Sequence, residues 1–98
     1  MYQATIFTED TGSECVQDVL NIVSEAYEGF TVTKGLGYWR GVPEASLIIT
    51  ILTDTNEADK VRSLSECIRV ANRQESVLFT VQAITCEFVS SDVEAVKA

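Results

Sequence analysis

The sequence contains no histidine, one proline, one tryptophan and only seven basic residues. Without histidine the commonest general base is missing, and Ser–His and Cys–His nucleophile chemistry goes with it. A zinc site would have to rest on cysteines and carboxylates alone, which departs from the usual donor sets, so no metal is expected. The few Lys and Arg face fifteen acidic residues and leave a net charge of −8. Phosphate backbones and anionic lipid surfaces both require clustered cations, so neither nucleic acid nor membrane is an expected partner. No apolar run approaches the ~20 residues that cross a bilayer. The start, Met1-Tyr2-Gln3-Ala4-Thr5, lacks the basic and apolar regions of a signal peptide, and a cytoplasmic location is the expectation. Cys15, Cys67 and Cys86 form no CxxC pair and are odd in number, which fits reduced thiols packed as small hydrophobes.

What is present is ordinary globular material: 46% apolar and 22% charged residues in 98, enough for one domain with a modest core. Residues 2–8 alternate as a strand. Thr11-Gly12-Ser13-Glu14 fits a capping box. Val16, Val19, Leu20, Val23, Ala26 and Tyr27 then repeat at helical spacing, which predicts a helix over 12–28 closed by a left-handed Gly29. Residues 30–34 predict a second strand, and 34–44 a loop or protruding hairpin marked by three glycines and Pro43. Residues 45–52 form the clearest strand. They are apolar on both faces and should lie centrally in a sheet.

Asp54 to Glu57 offers a second capping box before a helix over 56–72, where Arg69 and Arg73 oppose the negative end of the dipole. Ser76 to Val89 alternates as one long last strand, carrying Cys86, and the chain ends in a loose tail over 90–98. The order βαββαβ is that of an α+β ferredoxin-like plait over 1–89: a four-stranded antiparallel sheet with two helices on one face. Two helices cover one face only, yet Ile48 and Leu52 must face opposite to Leu47, Ile49 and Ile51. An uncovered apolar face is a contact surface, so a homo-oligomer, trimer or dimer, is expected.

Lys34, Tyr38, Trp39, Arg40 and Glu44 gather in the glycine-rich stretch. Aromatic rings offer stacking area and Arg40 can pair with phosphate or carboxylate, which suggests a small anionic ligand or a protein partner. The plainer interpretation is a twisted hairpin whose Trp packs on a neighbour. Arg73, Gln74 and Glu75, at the exit of the second helix, are candidates to meet that stretch from another subunit. The plainer interpretation there is a solvated helix end. The carboxylate pairs Glu9/Asp10 and Glu57/Asp59 are explained as helix N-terminal charges, and no general acid or base is assigned. No cofactor is implied, since Gly35-Leu36-Gly37 with the next glycine at Gly41 is neither a dinucleotide fingerprint nor a P-loop.

Trp39-Arg40-Gly41-Val42-Pro43-Glu44-Ala45-Ser46, followed by Leu47-Ile48-Ile49, resembles the Trp–Gly…Glu and apolar-strand region of the CutA proteins, in the wider PII-like superfamily. The resemblance implies a trimer with a functional loop at 34–44. The cysteine and histidine positions linked to copper in CutA have no counterpart here, and neither do the PII nucleotide signatures. Three functions follow as expectations. First comes a non-enzymatic oligomeric ligand-binding or regulatory module. The second is a small acidic inhibitor or decoy of another protein, of the phage antagonist type. The third is a cofactor-free ferredoxin-like enzyme.

Overall fold

The computed structural model describes residues 1–90. Six elements follow in the order β1 (Tyr2–Glu9), α1 (Ser13–Ala26), β2 (Thr31–Trp39), β3 (Val42–Thr53), α2 (Ala58–Ala71) and β4 (Leu78–Ala83). The four strands form one sheet in the order β2-β3-β1-β4 with antiparallel neighbours throughout. The chain is an α+β ferredoxin-like plait. Residues 91–98, most of the expected tail, lie outside the described residues. No helix among the described residues is long and apolar enough to cross a membrane.

The period-2 pattern decides which side chains the helices cover. Ala4 and Ile6 of β1 and Leu47, Ile49 and Ile51 of β3 point to one face. They meet Val19 and Val23 of α1 and Val61, Leu64 and Ile68 of α2, and all ten are buried. Val77, Phe79 and Val81 share a half-buried border of this core. Removing a fully buried aliphatic side chain from such a cluster costs about 2–5 kcal/mol.

The other face carries Phe7, Ile48 and Leu78 side by side, because Phe7 pairs with Ile48 on one flank and with Leu78 on the other. Phe7 is 37% and Leu78 61% exposed. The two-sidedness expected of β3 is therefore present, and this row stands in solvent in the single chain.

The segment 34–44 is not a loop. β2 continues through Gly35, Leu36 and Gly37 to Trp39, and β3 starts at Val42, so the stretch is a β-hairpin. Trp39 pairs with Val42 across a two-residue turn, Arg40 and Gly41, both with positive φ (52° and 79°). That conformation is a type I′ turn, whose twist matches that of the flanking strands. Cross-strand pairing outweighs the weak strand preference of the glycines.

Helix ends also differ from expectation. Gly12, at φ 131°, is the N-cap of α1 and makes no side-chain cap bond; its N–H instead donates to Asp10 Oδ1 at 3.0 Å. Thr11 and Glu14 form no capping box. α1 closes on an extended Tyr27, and Gly29 does not adopt a left-handed conformation. Before α2, Asn56 Oδ1 accepts from the Ala58 N–H at 3.0 Å, in place of a box from Asp54.

α2 ends in a Schellman motif: Arg73 (φ 54°) donates its N–H to the Val70 carbonyl, and Gln74 to the Arg69 carbonyl at 3.0 Å. β4 is six residues, far shorter than 76–89, because its one partner, β1, runs out: Ala83 pairs with Tyr2, and Ile84 reaches only the Met1 carbonyl. Cys86 thus lies beyond the strand. None of the cysteines is fully buried, and Cys67 is exposed.

Candidate functional site

The hairpin is longer than the sheet it belongs to. β1 ends with Glu9 opposite Ser46, and β4 begins with Leu78 opposite Phe7, while β3 and β2 run on to Val42 and Trp39. A notch is left between the projecting hairpin and the segment that leads from α2 into β4. It encloses about 490 Å³, within the range of small-molecule sites. Gly37, Tyr38, Trp39, Glu44 and Ser46 form the hairpin wall. Phe7, Thr8 and Glu9 form the floor, and Gln74, Glu75, Ser76 and Leu78 form the far wall.

Gly37 lies close against the Ser46 side chain of the neighbouring strand. A Cβ at this position would stand 2.9 Å from Ser46 Oγ and would narrow the notch. The far wall is fixed by the Schellman turn of α2. Arg69 Nη1 donates to the Gln74 carbonyl at 3.3 Å, and the same guanidinium is held by Glu66 through Nε at 3.0 Å. The Glu66 carboxyl is lowered below its ordinary range, chiefly by that hydrogen bond to Arg69. The Thr8 hydroxyl donates to Gln74 Oε1 from across the notch.

Five of the eight residues singled out in the sequence meet in this notch: Tyr38, Trp39, Glu44, Gln74 and Glu75. The three cations do not. Lys34 turns to Asp10, with Nζ 3.7 Å from Oδ2. Arg40 sits at the hairpin tip over the Trp39 ring, 5.4 Å from its centroid. Arg73 occupies the left-handed position that ends α2 and borders a separate cavity beside Thr11 to Cys15. The charged side chains of the notch are therefore Glu9, Glu44 and Glu75, all acidic, beside the rings of Phe7, Tyr38 and Trp39.

Carboxylates with aromatic faces attract cations, by direct charge and by the ring quadrupole. Among the described residues no group of three or more His, Cys, Asp or Glu is arranged to hold a metal ion. Phe7, Thr8 and Glu9 carry no local sign of a site in the sequence, because only the strand register shows that β1 ends beneath the hairpin. Glu9 terminates that strand; it is not a helix N-terminal charge.

No protein-family model matches the chain, and no curated protein does. Solved structures share its fold. A phage SAM lyase in the apo state is similar over 91% of this chain and 92% of its own, with 23% identity and a TM-score of 0.59. A DUF3240 family protein from Shewanella baltica OS155 is similar over 92% of this chain and 97% of its own, with 14% identity and a TM-score of 0.58. The de novo designed protein Foldit4 aligns with 86% of this chain at a TM-score of 0.50 and 14% identity. At these identities the likeness is one of fold alone, and none of the three bears the CutA or PII name.

Proposed function

We propose that this chain binds S-adenosylmethionine in the hairpin notch and cleaves it, acting as a homo-oligomer. The observation that carries the proposal is the notch itself: three carboxylates and three aromatic rings with no cation among the lining residues. S-adenosylmethionine offers the matching chemistry, a sulfonium and an ammonium beside a flat purine. A phage SAM lyase with the same fold supports the choice of ligand.

Cleavage of this substrate suits a protein without histidine. One oxygen of the substrate's own carboxylate attacks the γ-carbon next to sulfur, forming a five-membered lactone. The carbon–sulfur bond breaks, its electron pair stays on sulfur, and a neutral thioether leaves. No proton moves and no further reactant enters, so neither general acid nor general base is needed. The site has to fold the methionine arm so that carboxylate and γ-carbon are aligned, which is catalysis by orientation. It also has to hold the sulfonium against carboxylates and rings.

Assembly joins this reading through the open face. Phe7 and Leu78 belong both to the apolar row and to the notch, so a copy packed on that row borders the site.

The test is incubation with S-adenosylmethionine and chromatography for methylthioadenosine and homoserine lactone, with sedimentation to measure assembly. Both products from a dimer or trimer are expected. Calorimetric silence together with unchanged substrate defeats the proposal. Binding without turnover supports the non-enzymatic ligand-binding module in its place. A second reading, an acidic antagonist of another protein, draws on the net charge of −8. It requires a stoichiometric complex with a purified basic target that dissociates as salt is raised.

A further inference from the structure

Gln74 is held at each of its polar backbone groups and at its side-chain oxygen, by partners from different parts of the chain. Its N–H donates to the Arg69 carbonyl at 3.0 Å, and its carbonyl accepts from Arg69 Nη1 at 3.3 Å. Its Oε1 accepts from the Thr8 hydroxyl, 66 residues away in sequence. Thr8 is only 4% exposed, and a buried hydroxyl proton requires an acceptor, so this contact fixes which way the amide faces. With Oε1 engaged, the Nε2 amino group is what Gln74 presents to a ligand, and it can only donate. This matters because every charged group in the notch is an acceptor. Glu9, Glu44 and Glu75 suit the cationic groups of a zwitterion and repel its carboxylate.

We infer that Thr8 is a positioning residue: it locks the Gln74 amide as the donor that receives the carboxylate of the ligand. The inference rests on the proposed function for the identity of that ligand, and it adds a selection rule: the site takes zwitterions in preference to purely cationic analogues. A hydrogen bond to a charged group is worth roughly 1.5–3 kcal/mol, or on the order of ten- to a hundredfold in affinity.

The test uses the full chain with Thr8→Val, which keeps the shape and removes the hydroxyl, with Thr8→Ser, which restores it, and with Gln74→Met. Thr8→Val and Gln74→Met are expected to raise KM for S-adenosylmethionine at least tenfold, with Thr8→Ser within about threefold of the parent protein. The inhibition constant of decarboxylated S-adenosylmethionine, which lacks the carboxylate, should not move in any of them. Equal loss for both compounds would mean a merely structural role, and no loss, or no rescue by Thr8→Ser, would overturn the inference while leaving the proposed function standing.

A ligand-free readout separates the two claims. The side-chain NH2 resonances of Gln74, assigned by their absence in Gln74→Met, should lie away from those of solvated glutamines in the parent and Thr8→Ser, and join them in Thr8→Val. If the parent neither binds nor turns over S-adenosylmethionine, the carboxylate assignment falls with the proposed function. Solvated-glutamine shifts in the parent would refute the lock by itself.

Discussion

Replacing Tyr27 by Phe tests how the two helices are pinned together at one end of the layer. Tyr27 caps α1, and its hydroxyl donates to Glu57 Oε1 at 2.7 Å, the residue that precedes α2. Lys60 Nζ lies over the same ring at 4.1 Å from its centroid, and 3.8 Å from Glu57 Oε1. Phe keeps the ring and its cation, so the variant isolates one hydrogen bond to a partly exposed carboxylate. Such a bond is worth about 1 kcal/mol, which for a domain of this size is a fall in Tm of about 4–8 °C at neutral pH.

The pH dependence adds a sharper check. Burial, then the hydrogen bond to Glu57 and its negative charge, push the Tyr27 phenol well above the ordinary tyrosine range. A folded-state pKa raised above the unfolded one stabilises fully below the unfolded value, about 10, and the benefit drains away as pH rises above it. The slope from this group is at most ~1.4 kcal/mol per pH unit, so the gap between parent and Tyr27→Phe should close by about pH 11. Guanidinium melts followed by circular dichroism at pH 8, 10 and 10.8 give the gap directly. A gap that stays constant or widens above pH 10 would refute the account of how Tyr27 is held.

Three other perturbations follow from the same structure. Leu78→Asp places a charge in the open apolar row at a site already 61% exposed; light scattering should report a smaller species with unchanged circular dichroism, and an unchanged mass argues against packing through that row. Ser65 is 5% exposed and its Oγ has no hydrogen-bond partner among the described residues, so Ser65→Ala should raise stability by roughly 1 kcal/mol in a denaturant melt; a loss would mean that the hydroxyl is bonded in solution. Arg73→Gly relieves a left-handed residue at φ 54° and should stabilise by about 0.5–1 kcal/mol without changing affinity at the notch; weaker ligand binding would place Arg73 in the site after all.

The architecture was readable because its strongest signals are local. Six elements in the right order, the two-faced β3 and the helical stripes all follow from periodicity. What periodicity lacks is knowledge of partners. The alternation after Ala83 continues in sequence but not in structure, since β1 has no residues left to pair with. Gly35 and Gly37 signal a loop by preference, yet each pairs across the ladder with Ser46 or Glu44. The same limit divides the candidate site. Tyr38, Trp39 and Glu44 stand out by composition, and Gln74 and Glu75 by their place after a helix. The floor is set by register, so Phe7, Thr8 and Glu9 offer no local signal. Lys34, Arg40 and Arg73 looked suited to a ligand as cations, but an acidic neighbour, a ring and a helix end claim them first.

The place of β1 in the sheet bears on how this protein is made. It lies between β3 and β4, but it is synthesised before both, and its second neighbour closes only when Ala83 reaches Tyr2. On the ribosome, the hairpin of β2 and β3 can zip by itself through its tight turn, while the flank of β1 that receives β4 stays unpaired until the sixth element has emerged. Pairings so distant in sequence are the slow steps of folding, and a nascent chain stalled before residue 78 would display that unpaired flank to its neighbours.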